Sequence, residues 1–140
     1  MVLCGLEIAH EQGLSGHSDA DVATHAVIDA VLGAAGMGDI GELFPDSDPA
    51  FEGASSIDLL RQVMARVTEA GWRVVNVDLV IVAERPRLAA HRTAMATLLA
   101  AALRVTGDAV GVKATTTEGM GFEGRGEGIS STAGCLLERV

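Results

Sequence analysis

Residues Val75, Val77, Leu79, Ile81 and Ala83 alternate with Asn76 and Asp78, the two-residue period that predicts a strand over 72–83 with one buried face. Leu59, Leu60, Val63, Met64 and Val67 recur at the three- and four-residue spacing of a helix face, starting at Ser55 or Ser56 and closed by Gly71. The run Val22–Ala35 is apolar on almost every side, so it predicts a buried helix. Only Asp21, His25 and Asp29, at i, i+4 and i+8, make a polar stripe along it, inside the protein or lining a cleft. Ser18 and Asp21 have capping-box spacing, which sets the expected helix start at Ser18, and Gly36 and Gly38 supply the stop.

Around these, the segment Val2–Ile8 reads as a strand containing a glycine, and 38–49, with two prolines and four acids, as an ordered loop. A long Ala/Leu helix follows Pro86 to about Arg104, Val110–Thr116 is a strand, and Ile129–Leu137 is compatible with a last one. Between these two strands, the loop from Glu118 to Gly128 holds five glycines. The order β-α-α-β-α-β-β predicts an α/β (α+β) sandwich, a small mixed sheet with helices on one face, and its other face covered by copies of itself.

Composition narrows this picture. A chain of 140 residues fits a single domain, and 49% hydrophobic residues with 3% aromatics make its core one of Val, Leu, Ile and Ala. A net charge of −9 excludes a general nucleic-acid binder, so any phosphate must be held by a few local donors or a metal. Cys4 and Cys135 form no paired spacing and read as small buried hydrophobes of a reducing compartment. No apolar run approaches the ~20 residues of a membrane span, and no secretory-signal pattern opens the chain, so a cytoplasmic protein is expected.

Several clusters carry candidate chemistry. In "GHSDADVATH" (16–25), His25 between two carboxylates is either a metal ligand with a fixed tautomer or a satisfied core histidine. His17 and Ser18, ahead of the helix, suit a phosphate at a helix N-terminus, and Ser18 also reads as a plain N-cap. Asp39 and the turn Phe44-Pro45-Asp46-Ser47-Asp48 could bond ligand hydroxyls, or be a solvated acidic loop. Thr115-Thr116-Thr117-Glu118 offers hydroxyls to phosphate and a carboxylate to a hard cation, although threonines alone suit any strand. The glycine loop presents backbone N–H groups with Arg125 as a fork-shaped donor, and Arg85-Pro86-Arg87 alone is surface.

Read in order, "GHSDADVATHAVIDAVLGAAGMGDIGELFPDSDP", "NVDLVIVAERPRL" and "VKATTTEGMGFEGRGEG" resemble the 2-C-methyl-D-erythritol 2,4-cyclodiphosphate synthase family nearly from end to end. The resemblance implies a homotrimer around a threefold axis with active sites between subunits, in a bacterial cytoplasm. It implies a lyase of the non-mevalonate isoprenoid pathway that converts 4-diphosphocytidyl-2-C-methyl-D-erythritol 2-phosphate to the cyclodiphosphate with release of CMP. It also implies one Zn²⁺ per subunit, held in part by His25, and a Mg²⁺ or Mn²⁺ on the diphosphate, with Glu118 its ligand. By position, His17 and Ser18 would contact phosphate, and His17 and Thr116 would stabilise the transition state. Asp39, Ile40 and Gly41 would meet the methylerythritol hydroxyls, and Phe44, Pro45, Asp46, Ser47 and Asp48 would line the substrate. Ala83, Glu84, Arg85, Pro86, Arg87, Leu88 and Ala89 would form the cytidine pocket, with Arg87 and Leu88 where Lys and Met are common. Thr115, Thr116, Thr117 and Glu118 would form the diphosphate turn, and Phe122 and Arg125 would lie near the substrate and the axis, where an isoprenoid diphosphate would sit.

One departure stands out. Family members carry a Gly-x-Asp-x-His strand whose Asp and His complete the zinc site, and no Asp-x-His precedes His17 here. One imidazole is short of the usual three protein ligands. The chain is then expected to be either a truncated form of a normal enzyme or a natural short form with altered metal chemistry, binding zinc weakly and turning over poorly. Two other functions fit parts of the sequence. A metal-dependent phosphoester hydrolase would explain the histidine cluster, and a non-catalytic trimer would bind cytidine nucleotides or isoprenoid diphosphates.

Overall fold

A computed structural model describes residues 1–140. From the N-terminus the elements are β1 (Val2–Leu3), β2 (Leu6–Glu7), α1 (Val22–Ala35), α2 (Ile40–Leu43), α3 (Ser56–Glu69), β3 (Trp72–Val82), α4 (Arg92–Leu103), β4 (Val110–Thr115), α5 (Gly121–Gly124) and β5 (Ser130–Arg139). The central strand β3 pairs in parallel with β4 and antiparallel with β5, giving the order β4-β3-β5. The fold is the mixed α/β sandwich expected. Helix α1 packs on β5 and β3, α4 packs on β4, and α3 lies against α1, α4 and β3.

The helix-facing side of the sheet carries Val77, Leu79 and Ile81, buried and in register with Cys135, Ala133 and Ser131 of β5. The α3 side chains Leu59, Leu60, Val63, Met64 and Val67 complete this core as expected, each contributing about 1.5–3 kcal/mol by burial. The Cys135 thiol donates to the Ala30 carbonyl of α1 at 3.2 Å. The other side of the sheet carries Asp78, Val80 and Val82, in register with Gly134, Thr132 and Ser130. There Leu136 is 55% exposed, and Lys113 pairs with Asp78 at 2.9 Å.

Four expectations are corrected. The segment Val2–Ile8 is a tight hairpin, not one strand: Cys4 (φ 54) and Gly5 (φ 75) both occupy the left-handed region that a two-residue turn of this hand requires. Ser18 does not cap α1. Asp21 does, accepting from the Thr24 amide, because the chain from 15 to 20 is irregular and the helix begins only at Val22. The segment 38–49 contains α2, capped by Asp39 through the Glu42 amide at 2.9 Å, and Asp29 of α1 accepts from the Ile40 amide at 2.9 Å. Finally, Val75 does not share the face of Val77. The ladder to β5 shifts between Val74 and Asn76, so Val75 is an extra residue and Val74 is the buried neighbour.

Asp21 has no exposed surface and accepts from the Cys4 amide (2.9 Å), the Gly5 amide (2.7 Å), the Thr24 amide (2.9 Å) and the Thr24 hydroxyl (2.7 Å). Burial, and secondarily the Asp21 carboxylate, push the Cys4 thiol far up. Burial also raises Cys135. Asp21→Ala strands four donors and is expected to cost about 3 kcal/mol or more in urea unfolding. A loss below about 1 kcal/mol would show that the hairpin does not depend on it.

A second expectation concerns alkali. An unfolded thiol loses its proton near pH 8.5, whereas folded Cys4 keeps it, so above that pH the unfolded state binds fewer protons and stability falls. The slope from Cys4 is about 1.4 kcal/mol per pH unit. Cys135, also raised by burial, adds to this loss, while the chain has no tyrosine and Lys113 as its one lysine. Urea unfolding between about pH 8.5 and 10.5 is expected to show this fall, reduced in Cys4→Ala and removed when Cys135→Ala is added.

Candidate functional site

Two separate regions hold the candidate residues. The first is a pocket of about 290 Å³ lined by Gly16, His17, Ser18, His25, Ile40, Gly41, Phe44, Asp46, Phe51 and Leu59. Its wall at 17–19 is fixed by backbone bonds, from Gly53 to the His17 carbonyl at 2.8 Å and from Asp19 to the Ala54 carbonyl at 3.0 Å. The His17 Nε2–H donates to the Asp48 carbonyl at 3.1 Å, which ties the histidine to the acidic turn. Phe44 and Phe51 meet edge to face with centroids 5.2 Å apart and close the pocket's apolar end. Asp39 and Asp48 spend one oxygen each on caps, to the Glu42 and Ala50 amides.

His25 does not lie between two carboxylates. Asp21 is turned inward to the hairpin and Asp29 is spent on the Ile40 amide. The His25 Nε2 instead lies 2.8 Å from Ser56 Oγ and 3.1 Å from Ser18 Oγ. Nor is the N-terminus of α1 open to a phosphate, because the Asp21 carboxylate already occupies it. The donors this pocket can offer an anion are side chains, the Ser18 hydroxyl and the His17 ring.

The second region joins the end of β3 to the turn after β4. The Ala83 amide bonds the Thr115 carbonyl at 2.9 Å, and the Glu84 carboxylate accepts the amides of Thr117 (3.2 Å) and Gly119 (2.9 Å). The carboxylate thereby holds the threonine turn against the 83–89 segment. Thr116 Oγ1 accepts from the Glu118 amide at 3.2 Å, which leaves its own proton free to donate. Glu118 itself sits at φ 53 with an exposed side chain. Leu88 is buried under the segment, whereas Arg85, Arg87 and Ala89 are exposed and Pro86 is half-buried. The short helix α5 carries Phe122, 45% exposed. Arg125 is not a free fork: Nε and Nη2 bond Glu127 at 2.9 and 3.2 Å, an exposed pair that a stronger anion can displace. Gly124 has no room for a side chain, since a Cβ there would lie 2.2 Å from the Gly119 carbonyl carbon.

The two regions are distinct. Asp46 and Ser47 are exposed at the first and Pro45 is half-buried there, while nothing of 83–89 or 115–118 lines that pocket. No group of three or more His, Cys, Asp or Glu side chains forms a metal centre. His25 is a single imidazole beside two hydroxyls, and this donor set does not by itself fit a zinc ion. The sequence reasoning missed Asp19 and Ser56. Both stood in plain view, Asp19 inside the histidine cluster and Ser56 as a helix start, but their contact spans 37 residues and has no sequence signal.

The YgbB family model matches residues 1–138. Over 140 residues the chain is 57% identical to the 2-C-methyl-D-erythritol 2,4-cyclodiphosphate synthase of Rubrobacter xylanophilus, covering 100% of this chain and 84% of that protein. Over 139 residues it is 54% identical to the synthase of the same name from Bordetella avium, covering 99% and 86%. A solved 2C-methyl-D-erythritol-2,4-cyclodiphosphate synthase in a CDP-bound form matches the fold with a TM-score of 0.90 at 38% identity, over 99% of this chain and 89% of that one. Agreement in sequence and fold along the whole chain shows that this protein belongs to the YgbB family, with the cyclodiphosphate synthases as its relatives.

Proposed function

We propose that the chain is a cyclodiphosphate-forming lyase. It takes 4-diphosphocytidyl-2-C-methyl-D-erythritol 2-phosphate, joins the 2-phosphate oxygen to the β-phosphorus, and breaks that phosphorus's bond to the bridging oxygen, which leaves with CMP. The observation that carries this reading is the separation of the candidate residues into two half-sites. One is rich in serine and histidine, and the other holds the threonine turn against the 83–89 segment. A substrate with a nucleotide at one end and a phosphorylated polyol at the other needs both. A homotrimer, in which one subunit's half-site faces its neighbour's other half, supplies them together. The helix-free sheet face, with Val80, Val82 and the exposed Leu136, suits burial against such copies.

The transfer needs alignment and charge neutralisation more than a nucleophilic side chain. In this reading the Ser18 hydroxyl and His17 hold the 2-phosphate, while Asp39 and the backbone at Ile40 and Gly41 orient the polyol. The 83–89 segment reads the cytosine through backbone groups. Thr116 donates its free hydroxyl proton to the diphosphate, and the exposed Glu118 carboxylate would take a hard cation there. The protein acts in the cytoplasm of a bacterium. Of a zinc site the described residues supply one imidazole, His25. Relatives named as synthases along the whole chain argue against the non-catalytic reading.

Two measurements test this. Incubated with the diphosphocytidyl substrate and Mg²⁺, the chain is expected to release CMP and form the cyclic product, seen by ³¹P NMR. A linear phosphorylated product would instead identify a hydrolase. Glu84→Ala releases the turn at Thr117 and Gly119 and is expected to lower CMP release about 10-fold or more, with urea stability changed by less than about 1 kcal/mol.

A further inference from the structure

Ser56 is fully buried, at the first position of α3. Ser55 already caps that helix, so the Ser56 hydroxyl is not needed there. Its amide donates to Asp19 Oδ2 at 3.0 Å, its hydroxyl bonds Asp19 Oδ1, and the same oxygen lies 2.8 Å from His25 Nε2. A carboxylate offers only acceptor sites, and Asp19 also takes the Asp21 amide at 3.2 Å. The hydroxyl proton of Ser56 is therefore committed to Asp19, and lone pairs are what Ser56 Oγ turns toward the ring. A bare Nε2 would set lone pair against lone pair at 2.8 Å, so Nε2 must bring the proton.

We propose that Asp19 and Ser56 are a positioning pair that sets the polarity of the His25 ring, holding its proton on Nε2. Nδ1, which has no hydrogen-bond partner within the chain, is then the bare lone-pair nitrogen of the ring. Ser18 is affected as well. At 3.1 Å from the same protonated nitrogen it takes the weaker arm as acceptor, and its own proton is left for an anionic oxygen. Two serines on one ring atom thus take different parts: the buried one orients the ring, and the one lining the pocket keeps a donor for the ligand.

The arrangement is a property of this chain's geometry and stands apart from the cyclase reading. Absence of cyclic product would defeat that reading and leave this one intact, whereas a reversed ring would do the opposite. The test is the ring ¹⁵N spectrum of His25 above its titration range, assigned by comparison with His25→Gln. The unsubstituted chain is expected to show a protonated Nε2 whose proton exchanges slowly with water, and a bare Nδ1. Ser56→Ala removes the buried acceptor, and the slowly exchanging Nε2–H signal is expected to be lost. Asp19→Ala frees the Ser56 hydroxyl to donate to the ring, and the proton is expected to move to Nδ1 in most molecules. A proton on Nδ1 in the unsubstituted chain overturns the proposal, as does an unchanged ring in Ser56→Ala. If Asp19→Ala, which also loses two backbone bonds, does not fold, those two readings still decide it.

Discussion

Asp21 carries a charge with no exposed surface, and the four donors that satisfy it come from the Cys4–Gly5 turn and from the first turn of α1. A buried carboxylate is tolerated only when its surroundings complete it, so hairpin and helix must occupy one fixed relation. The irregular segment 17–19 is then held on both sides, by the start of α1 through the Asp21 amide and by the start of α3 through the Ala54 carbonyl and Ser56. The pocket between α1, α2 and α3 exists because those anchors converge. The same carboxylate closes the helix N-terminus to outside anions, and this is why the pocket's chemistry falls to side chains.

An acidic protein that handles phosphates must keep its own carboxylates from facing them. Here six acids near the two half-sites have an internal duty, while Asp46 and Glu118 stay exposed. Asp19 takes Ser56, Asp21 the hairpin, Asp29 the Ile40 amide, Asp39 and Asp48 helix caps, and Glu84 the threonine turn. Their charge is spent on backbone N–H groups, where hydrogen bonds to an ionised acceptor are strong. Ser18 and Thr116, whose protons have no internal acceptor, are what remains to meet a ligand.

The sequence announced the elements with strong periods. The α3 face and the inward residues of β3 from Val77 onward are where alternation and helical spacing place them, because one-sided burial leaves that pattern. The three long motifs contain most residues of both candidate regions. What stayed hidden depends on contacts distant in sequence or on uncommon backbone. A hairpin turning at Cys4-Gly5 lacks the usual Asn or Asp, and it exists because Asp21, 17 residues on, accepts its amides. Ser18 has the chemistry of a cap, but the helix starts where Asp21 can be buried. Residue spacing set His25 beside Asp21 and Asp29, yet only tertiary packing decided that its partners are serines.

The extra residue in β3 keeps two halves of that strand in agreement. Trp72 and Val74 sit an odd number of positions from Val77 and Leu79, and a regular strand would turn the two sets to opposite sides. The bulge at Val75 absorbs the difference, so Val74 is buried with the core and Trp72 keeps the Arg139 guanidinium 4.0 Å from its ring centroid. Position 75 is therefore where the chain could lose a residue without turning any other side chain over, a point at which length is free to drift in descent while the pattern of faces is inherited intact.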